Sequence, residues 1–336
     1  MNTTSDSPKD TAVVAPPSVT KGADELCTDW GPQFLSCASV YYRNLVEKRG
    51  TVAALADMKS RYDSDGRVKG ECHQLTHIVG RAAAAKYDRA SEAFAHGDSL
   101  CWSGYYHGVM EGIVQRSGKS SLTSSVLDGI CSDIPGKERF SFDYYNCVHG
   151  LGHGIMNLRA NNVFESLDNC DALTGGWEQS SCAGGVYMEN VIADGREHSS
   201  AYLHPDDPLY PCNASPEKHR TTCYLMQTSY MLKITGNDFA KVFDLCLGAG
   251  EAYLDICYQS LGRDASGQSV SDVARTKATC MLGNDYRARS NCLVGAVKDF
   301  ISYHHGDTQA RALCSALDPE LQPVCTSTAD SYVQVL

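Results

Sequence analysis

Two histidines four residues apart, His149 and His153 in "CVHGLGHGIMNL" (147–158), pose the first chemical question in this chain. Four residues is about one helical turn, so both imidazoles fall on one helix face. The spacing recurs upstream, as His73 and His77 in "ECHQLTH" and as His107 and Glu111 in "YYHGVME". Glu189 in "GVYMEN" stands one position beyond the slot that His107 and His153 hold relative to the preceding cysteine. The corresponding stretches after residue 212, "LMQTSYM", "QSLGRD" and "VGAVKD", carry no histidine. Imidazole with carboxylate suits Fe, Zn, Mn or Cu. His73, His77, His107, Glu111, His149, His153 and Glu189 are therefore the candidate metal ligands, with Fe or Cu favoured and Zn possible. Seven donors exceed one ion's needs, which favours two metals. Glu189 is also a candidate general base, and Tyr106 a candidate phenol beside the metal, either redox-active or a hydrogen-bond donor.

Each residue also has an ordinary reading. One histidine pair at helical spacing is common, and histidines cap helices or satisfy buried backbone. Repetition at matching places in three adjacent segments is what favours metal. Glu189 is the weakest member, being offset by one residue; His73 is next, because it abuts Cys72 and its ring has the disulfide loop as an alternative direction. The tyrosines, 18 in all, read first as amphipathic packing residues.

The elements that must position these residues are announced by the 16 cysteines. Taken as consecutive pairs, six of eight separations are 10 to 12 residues, and the others are 16 (Cys131/Cys147) and 29 (Cys72/Cys101). No two cysteines stand two to four apart, so zinc knuckles are missing. Even count and regular spacing predict disulfides between sequence neighbours and hence an oxidising compartment. The second cysteines fall at 147, 182, 223, 257, 292 and 325, in steps of 35, 41, 34, 35 and 33. That period predicts an all-α chain: an α-solenoid of disulfide-stapled helix–turn–helix repeats of about 34–41 residues. One helix is expected to end at the first cysteine of a pair and the next to start at the second. Apolar residues at helical spacing, such as Val163, Phe164 and Leu167 or Val242, Phe243 and Leu245, support the first helix of the pair. Gly104, Gly150, Gly185 and Gly295 each follow a cysteine by three residues and read as close helix contacts. Equivalent positions on stacked helices lie within about 10 Å of each other, so the ligand candidates converge on one inner surface.

The pairing of His-x-x-x-His with His-x-x-x-Glu resembles the ligand pattern of hemerythrin-type di-iron sites in ligand type and spacing. The disulfides and repeat order depart from that family, and the resemblance carries no implication for the fold. The repeat period is close to that of tetratricopeptide arrays, whose residue signature is absent.

Other candidates are weaker. His198, His204 and His219 lie in a Pro- and Asp-rich segment that reads as a structured insertion lengthening one repeat, or as a lid. "YHHGD" (303–307) reads as a helix end capped by Gly306, and "YDSDG" as a turn lacking the Glu of a calcium loop. Asn2 and Asn213 begin glycosylation sequons.

Residues 1–26 are polar and rich in Ser, Thr, Pro and Ala, and read as a disordered leader or linker before a single repeat domain over 27–336. Within that domain, repeats 72–190 are ligand-rich and repeats 212–336 ligand-poor. The only membrane association expected is through an N-terminal anchor upstream of this sequence. A net charge of −11 with scattered Lys and Arg argues against nucleic acid as a partner. The expectation is a secreted or periplasmic metalloprotein, a metal-dependent redox or oxygen-using enzyme acting on a peptide or small organic substrate, with the C-terminal repeats shaping a substrate surface. A non-catalytic metal carrier or sensor and a helical-repeat interaction scaffold are the alternatives.

Overall fold

The computed structural model describes residues 34–118, 122–192, 200–269 and 272–333; Asn2, Cys27 and His198 lie outside them, as does the 1–26 leader. Among the described residues the chain forms α-helices and no strand. In order they are α1 (Phe34–Arg49), α2 (Thr51–Tyr62), α3 (Gly66–Gly70), α4 (Cys72–Ala84), α5 (Ala90–Phe94), α6 (Leu100–Ser117), α7 (Ser124–Ile130) and α8 (Phe142–Leu158). There follow α9 (Val163–Cys170), α10 (Gly176–Ile192), α11 (Glu217–Ile234), α12 (Phe239–Cys246), α13 (Leu254–Ser269), α14 (Val273–Cys280), α15 (Tyr286–His304), α16 (Thr308–Ser315) and α17 (Gln322–Val333).

The repeat is plainest in the second half. Short helices α9, α12, α14 and α16 have eight residues each and precede long ones. Asn162, Asp238 and Asp272 start the first three, each side chain accepting the backbone N–H three residues on. Val163, Leu167, Val242 and Phe243 are buried, while Phe164 and Leu245 pack half-buried against the same core. The long helices stack in a row, α4–α6–α8–α10–α11–α13–α15–α17, with each of these short helices backing its long successor.

Among the described residues seven disulfides join sequence neighbours from Cys72–Cys101 to Cys314–Cys325, with Cα atoms 5.4 to 5.9 Å apart. Each stabilises the helices it joins by about 2–4 kcal/mol through the unfolded chain. Cys72 departs from the expected pattern, since it starts α4 instead of ending a helix and its bridge ties the starts of α4 and α6. The expected position of the second cysteine needs correcting. Cys182 and Cys292 lie six residues inside α10 and α15, because the bridge ties the end of one helix to the flank of its neighbour.

The row curls until its far end meets its beginning. His305, just after α15, places Nε2 3.1 Å from Ser99 Oγ and its ring edge-on to Phe142, 4.4 Å between centroids. Trp102 at the start of α6 lies over Gly267 of α13. This closure brings the ligand-poor repeats face to face with the ligand-rich ones. His305 also corrects the cap assignment, since it, and not Gly306, takes the left-handed conformation that ends α15 (φ 50°). The "YDSDG" stretch is a turn in which Asp65 caps α3. Residues 200–216 form a structured insertion: Tyr202 bonds Asn162, and the backbone carbonyls of Pro208 and Tyr210 accept from Gln227 of α11. His204 stacks on Tyr210, and His219 faces Asp171 at 3.1 Å.

Candidate metal centre

Four neighbouring helices deliver the sequence-predicted ligands to one place. Helix α4 carries His73 and His77, α6 carries His107 and Glu111, α8 carries His149 and His153, and α10 carries Glu189. All are buried except His73, which is half-buried.

Glycines set the spacing. A Cβ on Gly108 would overlap the His77 carbonyl, and one on Gly80 would overlap the Tyr105 carbonyl. Helices α8 and α10 repeat the arrangement, Gly185 against the His149 carbonyl and Gly152 against the Cys182 carbonyl. The close-contact reading of glycine thus holds, and at both crossings the backbone of a histidine fills the gap. Gly104 touches Thr76 and His73, and Gly108 is the glycine of α6 that comes closest to a histidine carbonyl.

The carboxylates bond to imidazoles. His77 Nδ1 lies 2.5 Å from Glu111 Oε1, and Arg81 donates to the other oxygen at 2.6 Å. His153 Nδ1 lies 2.6 Å from Glu189 Oε2. Glu189 is therefore the counterpart of Glu111, not of His107 and His153 as cysteine alignment predicts. Counted from its cysteine, Glu111 comes three residues later than Glu189, and Cys101, Trp102 and Ser103 supply the difference. These three residues hold left-handed φ of 56°, 55° and 61°, so the regular part of α6 begins at Gly104.

The opposite ring nitrogens face one another. His73 Nε2 and His77 Nε2 are 3.0 Å apart, and His149 Nε2 and His153 Nε2 are 3.3 Å apart. Tautomers follow from the outer partners. Cys101 O, 2.8 Å from His73 Nδ1, can only accept, so Nδ1 carries the proton and Nε2 the lone pair. The carboxylates impose the same tautomer on His77 and His153. His149 bonds the backbone of Ser181, and its Nδ1 approaches the Tyr145 hydroxyl at 3.2 Å. In neutral rings each facing pair sets two lone pairs about 3 Å apart. Such a pair needs a cation between them, either a proton or a metal ion.

His107 lies between the pairs. Its ring stacks on His153 at 4.3 Å and stands 5.0 Å from His149 and 5.5 Å from both His73 and His77. Its Nδ1 has no hydrogen-bond partner among the described residues. Two three-imidazole groups result, His73/His77/His107 and His107/His149/His153, each with ring nitrogens within 4.8 Å of one another; His77, Glu111 and His153 form a third such group.

Burial first, then neighbouring imidazoles, pushes His73 down to about 3 and His107 well below the usual histidine range. Burial and His153 do the same to His149. Burial opposes ionisation of Glu111, but His77 and Arg81 outweigh it and hold the carboxyl below its ordinary range. The centre is thus rich in neutral nitrogen donors, with a charged carboxylate behind one of them.

Tyr106 packs its ring against Phe94, Tyr105 and Phe142, and burial followed by Asp143 and Asp98 pushes its phenol to about 12. The phenol that reaches a cluster imidazole is Tyr145, four residues before His149, a position the i, i+4 rule makes findable. A cavity open to solvent is lined by His107 and His149 together with Asp299, Ser302 and Tyr303 of α15. No helix of the described residues is long and apolar enough to cross a membrane. No protein-family model, curated protein or solved structure matches this chain.

Proposed function

We propose that this protein is a metalloenzyme of an oxidising compartment, secreted or periplasmic, that carries out redox or oxygen-using chemistry on a small organic substrate. The observation that carries the reading is the two facing Nε2 pairs, 3.0 and 3.3 Å apart, whose outer nitrogens are already committed. His73 and His77 would hold one ion, His149 and His153 a second, and His107 stands within reach of both. Glu111 and Glu189 act from behind as acceptors that fix the tautomer of His77 and His153 and raise their basicity. Glu111 has both oxygens engaged, which leaves a donor set dominated by imidazole. That set favours copper over iron, for which a carboxylate-rich set is the better match. Tyr145, at His149, takes over the role expected of Tyr106.

Two features favour an enzyme over a carrier. The donors are buried, which suits a resident ion, and the cavity gives an organic molecule access to His107 and His149. A scaffold reading draws no support from the curled row, since closure occupies part of the inner surface.

Elemental analysis of the protein purified without chelator, from a host compartment that forms disulfides, tests the reading. About two equivalents of copper or iron are expected, lost on chelation. Protein grown with ample metal that holds essentially none, and whose ¹⁵N shifts show a proton shared within each Nε2 pair, would overturn it.

A further inference from the structure

The cavity before the histidine centre has a second wall whose chemistry names a ligand. Its lining includes one residue with a formal charge, Asp299, among the rings of Trp102, Phe142, Tyr145 and Tyr303 and the thioether of Met188. The lining also includes His107 and His149 of the metal centre. Among the described residues no lysine or arginine lines it. Arg263, whose charge acts on Asp299 against that of Asp264, donates to Asp264 and Ser229.

Ser266 donates to Asp299 Oδ2 at 2.6 Å and fixes the carboxylate from behind. Burial pushes that carboxyl up to about 6, so it is ionised at pH 7.5 and an organic cation relieves its desolvation. Aromatic faces around one carboxylate attract an ammonium group through the ring quadrupoles as well as by charge. In the chelator-treated protein an anion would meet the Asp299 carboxylate with no lysine or arginine among the described lining residues to offset it.

We infer that this cavity is a substrate subsite for a small organic amine, its ammonium group at Asp299 and its apolar body between the aromatic rings, directed toward His107 and His149. The inference rests on the metalloenzyme reading for what happens to the amine, but binding itself needs only the cavity. Trp102 reaches this wall through the left-handed start of α6, and Asp299 and Tyr303 arrive from about 200 residues away through closure of the row.

Calorimetric titration of the full-length protein, once metal-loaded and once chelator-treated, with benzylammonium, benzyl alcohol and benzoate tests this directly. The three probes share a ring and differ in charge. Benzylammonium should bind at least about tenfold tighter than benzyl alcohol in both preparations, with benzoate weakest in the chelator-treated one. Asp299→Asn should erase the preference for the cation while leaving bound metal unchanged. Equal binding of the amine and the alcohol by the wild-type protein would overturn the inference without need of any variant, as would preference for benzoate in the chelator-treated protein. Because the chelator-treated protein is tested too, failure of the metal reading leaves this result intact, and the reverse also holds.

Discussion

The ligand-rich and ligand-poor halves are built with the same strut and differ in one atom's use. In the first half, His77 on α4 bonds Glu111 on α6 at 2.5 Å, and His153 on α8 bonds Glu189 on α10 at 2.6 Å. In the second, Thr228 on α11 bonds Asp264 on α13 at 2.6 Å, and Ser266 on α13 bonds Asp299 on α15 at 2.6 Å. Each strut ties a donor on one long helix to a carboxylate on the next. A hydroxyl has one proton to give, and it is spent on the carboxylate. An imidazole makes the same bond with Nδ1 and keeps Nε2 on the far edge of the ring, free to point inward. The strut is therefore architecture, and the second nitrogen is what chemistry is added through.

The strongest way to break this comparison is to convert one half into the other. The His77→Thr/His153→Thr double variant keeps a donor for each carboxylate and removes both inner nitrogens. Loss of essentially all bound metal by elemental analysis is expected, whereas Thr228→Ala should leave metal content unchanged. Metal retained by the double variant would mean that the struts, and not the second nitrogens, build the site. Next in size is Glu111→Gln, which keeps a hydrogen bond to His77 but removes the charge behind it. Metal affinity in a competition titration should fall about 10–100-fold.

Glycine substitutions separate packing from ligation. Gly185→Ala and Gly295→Ala push on equivalent carbonyls, those of His149 and Gln259, and each should cost about 1–3 kcal/mol in denaturant unfolding. Only the first should also weaken metal binding. Equal metal loss in both would show that the halves are mechanically coupled. The smallest effect concerns Asp299, whose folded pKa of about 6 lies above its ordinary value of 3.8 because of burial. A raised carboxyl pKa favours the folded state when the group is protonated, so its contribution is full below about pH 4 and lost as pH rises through about 6. Urea unfolding of metal-free protein should show wild type losing stability relative to Asp299→Asn across that window, and a constant difference would contradict it.

Much of this was legible in the residues. Cysteine spacing indicated sequential bridges, and the 33–41-residue steps indicated stacked helix pairs. Helical spacing gathered His73, His77, His107, His149 and His153 because residues four apart must share a face. The equivalence of Glu189 was misplaced because alignment on cysteines assumes that each helix starts at the same distance from its bridge. Residues 101–103 break that assumption with a left-handed turn that no local residue preference announces. Tyr106 drew attention by adjacency to His107, but neighbours in a helix point about 100° apart, and Tyr145, one turn from His149, is the phenol at the centre.

The sequence by itself determined the repeat, its bridges and the set of donors, since each depends on local periodicity. Only the tertiary structure decided which nitrogen of each imidazole faces inward, because that depends on acceptors 28 to 36 residues away on other helices. It alone also decided that Asp299 and Tyr303 face His107. The curvature that joins them accumulates from small rotations at every helix crossing, and no single stretch of sequence contains it.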